Sequence, residues 1–313
     1  MSHPEIPLIV LAGGDPEPTI LPEGTRSHPL VGAKGMDIRL GGEPLIDLVL
    51  ERLRTCGGFG PILVAGPAES YGEERDGVPV IDTDGTFGDN IRAGLDEMER
   101  IASVRPVAIT TCDILPDVID LRVLLDDYHA HAPLDFWYPL IAAPDRKEEL
   151  GASAWKPQYR VIPRGGGDAR RVLPGHLVIA DAAVVYQELT NACFQVAYES
   201  RNRRIVYRFW TMIRHVLFLL IRQDLQRLVR LRAPLRTLTA LGNGIALAYR
   251  LRDGLIHQEE IERRLSRTYI HRRHRRKHPE RLGRVGIFET LSLAKDIDTE
   301  EEAEEREETL LGS

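Results

Sequence analysis

Pro7-Leu8-Ile9-Val10-Leu11 runs directly into Ala12-Gly13-Gly14. Five apolar residues without polar alternation read as a strand covered on both faces, as in a parallel sheet between two helical layers. The pattern then alternates along the chain. Leu45–Thr55 (LIDLVLERLRT) has helical spacing and stops at Gly57-Gly58, and Pro61–Ala65 is a second apolar strand. Val78–Asp82 is a short third strand, and Asp89–Arg100 is a helix with Ile91, Leu95 and Met98 on one face. Pro106–Thr111 is a fourth strand ending in Cys112-Asp113, followed by a helix over Leu121–His131 and a strand over Asp135–Ile141. This βαβ series predicts an α/β fold with a mainly parallel sheet. After Gly151 two strands, Trp155–Ile162 and Gly175–Ala180, are expected around the turn Gly165-Gly166-Gly167.

A chain of 313 residues can hold one large domain or two, at roughly 100–200 residues each. Its 28% charged and 43% hydrophobic residues are those of an ordinary folded protein. The cysteines Cys56, Cys112 and Cys193 lie far apart and form no CxxC pair, which argues against a zinc ribbon or a disulfide framework. Met1–Ile6 is polar, and the longest apolar run of the basic region is Val216–Ile221. Neither is a secretory core or the ~20 residues of a membrane span, so a cytoplasmic location is expected. The net charge of −6 conceals a segregation: residues 201–290 hold 22 Lys and Arg against 7 Asp and Glu. Such asymmetry suggests a segment with its own partner.

Ligands of open parallel sheets bind beyond the carboxyl ends of the strands. Two features fall there. Gly13 and Gly14 allow close backbone approach and offer N–H groups to phosphate. Asp113, directly after its strand, is placed to hold a divalent cation. The plainer readings are an ordinary βα turn and a helix N-cap. No GxxxxGK[ST] is present, and Leu11–Pro16 does not spell GxGxxG, which disfavours P-loop NTPases and NAD dehydrogenases.

Leu11-Ala12-Gly13-Gly14, Gly32-Ala33-Lys34-Gly35-Met36 and Leu40-Gly41-Gly42-Glu43-Pro44-Leu45-Ile46 together resemble the opening of the MobA-like nucleotidyltransferase family. Thr110-Thr111-Cys112-Asp113-Ile114-Leu115-Pro116 is similar to that family's metal-binding segment, and Gly88-Asp89-Asn90-Ile91 to the helix facing the base. Asp296-Ile297-Asp298-Thr299-Glu300-Glu301 resembles its closing segment. The resemblance implies a three-layer α/β/α, GT-A-like fold. It also implies transfer of a nucleotide from an NTP, CTP or GTP above all, to a phosphorylated sugar, polyol or cofactor, with release of pyrophosphate. By the same resemblance Asp113 and Asp298 would hold Mg2+, and Lys34 would contact the triphosphate. Leu11, Ala12, Gly13, Gly14, Gly88 and Asn90 would line the nucleotide. Twenty positions separate Gly14 from Lys34, and Arg26 is the candidate for the loop arginine of the family. Glu300 stands where the family has proline. That leaves Asp296 as the alternative second ligand and a solvated acidic tail as the other reading of 296–308.

For the acceptor, Lys156 and Arg160 are the first candidates, with Arg164, Arg170 and Arg171 nearby; a second phosphate needs such cations. Lys156 leads because family members place a lysine on this part of the sheet. His176 reads as structural. The resulting organisation is a nucleotidyltransferase core over 1–200, an Arg-rich helical segment over 201–284, and a closing segment with an acidic tail over 285–313. Residues 207–232 alternate a broad apolar side with arginines. They can pack on the core or a sister subunit, or lie at the inner face of an anionic membrane. His271–His278 reads as a solvated basic face, with no nucleic acid expected. The competing functions are a GT-A glycosyltransferase, which the single Asp at Cys112-Asp113-Ile114-Leu115 disfavours, and a degenerate nucleotide-binding scaffold.

Overall fold

The computed structural model describes residues 3–14, 17–21, 23, 25, 27–102, 105–199, 211, 214, 242–243, 245–247, 249–251, 254, 256–281 and 283–312. Arg26 lies outside them, as does nearly all of the 207–232 segment. No helix among the described residues is long and apolar enough to cross a membrane.

The opening strand β1 (Ile6–Leu11) is buried along its whole length. It pairs in parallel with β4 (Phe59–Gly66) on one side and β7 (Val107–Thr111) on the other. β6 (Val78–Asp82) extends this parallel half beyond β4. Successive side chains of a strand point to opposite faces, and both faces of β1 are covered. Leu8 and Val10 join one core with the helix α2 (Leu45–Cys56) and the helix α5 (Val118–His131). Ile9 and Leu11 join another with the helix α4 (Phe87–Ile101). The expected three-layer α/β/α sandwich is therefore present. Local chemistry bounds its helices. Gly57 ends α2 in the left-handed conformation at φ 74°, where a Cβ would be strained. Thr86 opens α4 through a capping box with Asp89.

The second half of the sheet is mixed. β10 (Arg170–Pro174) and β11 (Leu177–Ala180) are separated only by Gly175-His176, and both lie antiparallel to β8 (Phe136–Ala142). β11 also runs antiparallel to β7 and so joins the two halves. β13 (Arg284–Phe288) adds in parallel to the other edge of β8. β9 (Tyr159–Ile162) pairs with β10, and the expected glycine turn joins those two strands. The expected strand at Trp155 gives way to a 3-10 turn over Lys147–Trp155.

Beyond the Arg-rich segment, β12 (Ile256–His257) pairs with β9. The helix α7 (Gln258–Tyr269) then packs against β13, where the buried Glu262 accepts from Val285 N at 2.8 Å and from Arg164 Nη2 at 2.6 Å. Ile256 and His257 thus belong to the same sheet as β9 and β10. In the His271–His278 run the three histidines turn inward. His271 stacks on Tyr186, His274 meets Asp135 at 2.9 Å, and the His274 and His278 rings lie 4.8 Å apart. Only the cationic positions Arg272, Arg273, Arg276 and Lys277 face solvent, as the 3.6-residue period of the short helix over Arg272–Lys277 dictates.

Asp127 pins this half together. It accepts from Trp137 Nε1 at 2.9 Å and from Arg284 Nε and Nη2, each at 3.2 Å. Burial would raise its carboxyl, but the Arg284 and Trp137 donors outweigh burial and hold it below the ordinary value. A carboxyl depressed in the folded state stabilises above its unfolded pKa of about 3.9 and loses that contribution as pH falls through the folded value. Asp127→Asn is expected to cost about 1.5–3 kcal/mol at neutral pH. Urea midpoints of the two proteins should converge below about pH 4; a gap that stays constant down to pH 3 contradicts this account.

Candidate active site

The parallel strands β1 and β7 end side by side, with Leu11 opposite Thr111. Gly13-Gly14 and Asp113 therefore emerge at one edge of the sheet, from sequence positions about a hundred residues apart. Leu11 and Ala12 are themselves buried and held in the sheet: Ala12 N donates to Ala65 O at 2.8 Å, and Leu11 O accepts from Cys112 N at 3.0 Å. Gly13 and Gly14 are exposed. A Cβ on Gly13 would come within 2.8 Å of Asn90 Nδ2, so the glycine turn and the buried Asn90 face each other across van der Waals contact. Asn90 is oriented by Thr83, whose hydroxyl donates to Asn90 Oδ1 at 2.8 Å. Gly88 faces elsewhere. Its N–H donates to Gln195 at 3.1 Å, and Asn191 packs over its Cα. The helix α6 (Gln187–Glu199) thus covers the first turn of α4.

The closing segment lies against this edge rather than in solvent. Ile114 and Asp296 form a β-bridge, and Ile297 N donates to Asp113 O at 2.7 Å. Pro29 bridges Thr299, and Leu30 N donates to Asp298 O at 2.8 Å. Residues 300–311 are not an acidic tail. They form the helix α9 (Glu300–Leu311), opened by a capping box between Thr299 and Glu302. Its acidic residues have partners in the core: Glu302 accepts from Ser153 Oγ at 2.7 Å, Glu305 from Ala152 N at 2.6 Å, and Glu307 from Gly41 N at 2.9 Å.

One consequence is a carboxylate cluster. Oxygens of Asp113, Asp296 and Asp298 all lie within 4.8 Å of one another. Both candidates for the second ligand, Asp296 and Asp298, therefore meet Asp113. Two lysines enter the same cluster. Lys34, which opens the short helix α1 (Lys34–Asp37), is 3% exposed and donates to Asp298 Oδ1 at 2.6 Å, where the Asp298 residue is 1% exposed. Lys156 is also buried. It lies 2.5 Å from Asp296 Oδ1, 3.2 Å from Glu302 and 3.8 Å from Asp298, and it also donates to Asp296 O. Burial alone would lower the Lys156 ammonium, but Asp296, Asp298 and Glu302 outweigh it and hold it above the usual lysine value. Burial works against Asp296 as well, yet Lys156 and His176 hold its carboxyl well below the ordinary range.

The residues fit a divalent cation. Hard cations take carboxylate oxygens in small clusters, and Asp113 Oδ1 is buried without a hydrogen-bond partner among the described residues. A buried, unsatisfied carboxylate oxygen is costly unless a cation answers it. Lys156 is thus placed among the carboxylates, whereas Arg160 is exposed on β9, in register with Arg171. The neighbouring arginines have partners of their own, Arg164 and Arg170 at the surface. Arg164 pairs with Glu262 at 2.6 Å, Arg170 with Glu289 at 3.7 Å, and Arg171 donates to Pro144 O at 2.9 Å. Sequence reasoning did not single out His176, Thr111 or Glu302 for this site. Only the Thr299-x-x-Glu302 spacing carried a local signal, that of a capping box.

No protein-family model and no curated protein sequence matches the chain. Solved structures do resemble it. A hypothetical transferase from Thermus thermophilus aligns over 96% of this chain and 99% of its own, at 20% identity and a TM-score of 0.53. A CMP:2-keto-3-deoxy-manno-octonic acid synthetase complexed with CTP aligns over 99% of both chains, at 12% identity and a TM-score of 0.49. A 4-diphosphocytidyl-2C-methyl-D-erythritol synthase from Anaerococcus prevotii aligns over 63% of this chain and 78% of its own, at 10% identity and a TM-score of 0.37. Over nearly its whole length, the chain has the fold of the Thermus transferase.

Proposed function

We propose that this protein is a Mg2+-dependent nucleotidyltransferase of MobA-like type. It joins the nucleotide of an NTP, CTP or GTP, to a phosphorylated small-molecule acceptor and releases pyrophosphate. The observation that carries this reading is the convergence of Asp113, Asp296 and Asp298 with Lys34 beside the exposed glycines at the ends of β1 and β7. The fold shared with a transferase agrees with it.

The chemistry sets the requirements. A phosphate oxygen of the acceptor attacks the α-phosphorus, the bond to the bridging oxygen breaks, and pyrophosphate leaves. Two polyanions must meet, so charge has to be cancelled and geometry held. Bound at Asp113, Asp296 and Asp298, Mg2+ would supply that charge neutralisation. Gly13 and Gly14 offer backbone N–H groups to the phosphates, and Asn90, held by Thr83, faces the nucleotide from α4. Lys34 supplies a cation at the cluster, and Lys156 with Glu302 holds Asp296 and Asp298 in place. Arg160 offers an exposed cation to the acceptor from β9. No enzyme nucleophile is required.

The test is thermal shift and pyrophosphate release with each of the four NTPs, with and without Mg2+. A shift with one NTP that EDTA removes, and turnover once a sugar or polyol phosphate is added, is the expected result. A shift with nucleotide sugars and none with NTPs would move the protein to the GT-A glycosyltransferases.

A further inference from the structure

His176 occupies the two-residue joint between β10 and β11, and every polar group it carries is engaged. Its N–H donates to Leu293 O at 2.9 Å, just before the closing segment. Its carbonyl accepts from Thr110 Oγ1 at 2.7 Å. Its ring Nδ1 meets the Thr111 hydroxyl at 3.2 Å, and Nε2 lies 3.5 Å from Asp296 Oδ1. β7 ends at Thr111, two residues before Asp113. A single residue therefore touches both chain segments that supply the carboxylate cluster.

The arrangement matters because Asp296 is not held by its own local structure. It follows a short 3-10 turn over Leu291–Ala294 and precedes α9, so its carboxylate orientation depends on neighbours. Lys156 contacts one side of it. His176 contacts the same carboxylate from the sheet, and Thr111 holds the ring. Groups that orient a metal-binding side chain without touching the metal influence its affinity.

We infer that His176 is a positioning residue for Asp296, bridging it through Thr111 to the strand that presents Asp113 and so setting the cation affinity of the cluster. This rests on the cation-dependent reading above. The test is Mn2+ binding to the full-length protein, with Mn2+ alone as the probe, followed by electron paramagnetic resonance titration alongside thermal midpoints. His176→Leu is expected to weaken Mn2+ binding about 10–100-fold, and His176→Gln to stay within about threefold of wild type. The glutamine amide can donate to Asp296 while its oxygen takes the Thr111 hydroxyl. Thr111→Val, which leaves the histidine in place, should weaken binding in the same direction by a smaller factor. Unchanged Mn2+ affinity in His176→Leu, or a glutamine variant as weak as the leucine one, overturns the inference. If His176→Leu does not fold, Thr111→Val decides, and wild-type affinity there overturns it. Failure of the wild-type protein to bind Mn2+ sinks the cation reading itself and this inference with it.

Discussion

Asp113→Asn is expected to lower kcat/KM by about 10³-fold or more while leaving the fold intact. A bound divalent cation contributes several kcal/mol of charge stabilisation in phosphoryl and nucleotidyl chemistry, and each 1.36 kcal/mol is about a factor of ten in rate. The substitution is nearly isosteric, and Asp113 Oδ1 has no partner to lose among the described residues. It also removes one of three carboxylates crowded within 4.8 Å, so the thermal midpoint without metal should stay level or rise slightly. The stabilisation that Mg2+ confers on the wild type should vanish. Steady-state pyrophosphate release and thermal scans with and without Mg2+ check this. A variant that keeps a tenth of wild-type turnover would remove Asp113 from the reaction.

Lys34→Met should have the largest effect on stability. The ammonium and its partner Asp298 are almost fully buried, 2.6 Å apart. Taking away one member of a buried pair leaves an uncompensated charge, at about 3–5 kcal/mol. Replacing both with apolar residues of similar volume is far better tolerated, so Lys34→Met/Asp298→Leu should recover much of the loss. Saturating Mg2+ should stabilise the single variant more than the wild type, because the exposed need for positive charge at Asp298 is greater. Urea denaturation of the single and double variants is the check. Equal midpoints for wild type and Lys34→Met would show that Asp298 does not depend on this ammonium.

Most of the N-terminal half can be read along the chain because its signals are local. An unbroken apolar run makes β1 a central strand, Gly57 stops α2, and glycines after β1 lie at the edge where open parallel sheets bind ligands. The mixed half of the sheet is harder to read. β10 escaped notice because it runs into β11 through only Gly175-His176. By composition alone, the closing helix reads equally as a solvated acidic tail. In fact, Glu302, Glu305 and Glu307 reach backbone and side-chain donors 149 residues or more away. Charge density along a sequence says nothing of partners across the fold.

The same division holds at the site. By itself the sequence determined the α/β class and the glycine turn after the first strand, and it marked Asp113, Lys34 and the Asp296/Asp298 pair as candidates. The class, the turn and the strand-end place of Asp113 follow from periodicity and residue type, which act over a few residues; Lys34 and the Asp296/Asp298 pair stand out only by the resemblance of their segments to MobA-like ones. Tertiary structure alone decided that both Asp296 and Asp298 meet Asp113, that Lys156 lies among the carboxylates, and that His176 joins the two segments. Each of those contacts spans 65 residues or more of chain. They arise because β-bridges at Ile114 and Pro29 draw the closing segment onto the end of the central strands, where the buried charges can neutralise one another.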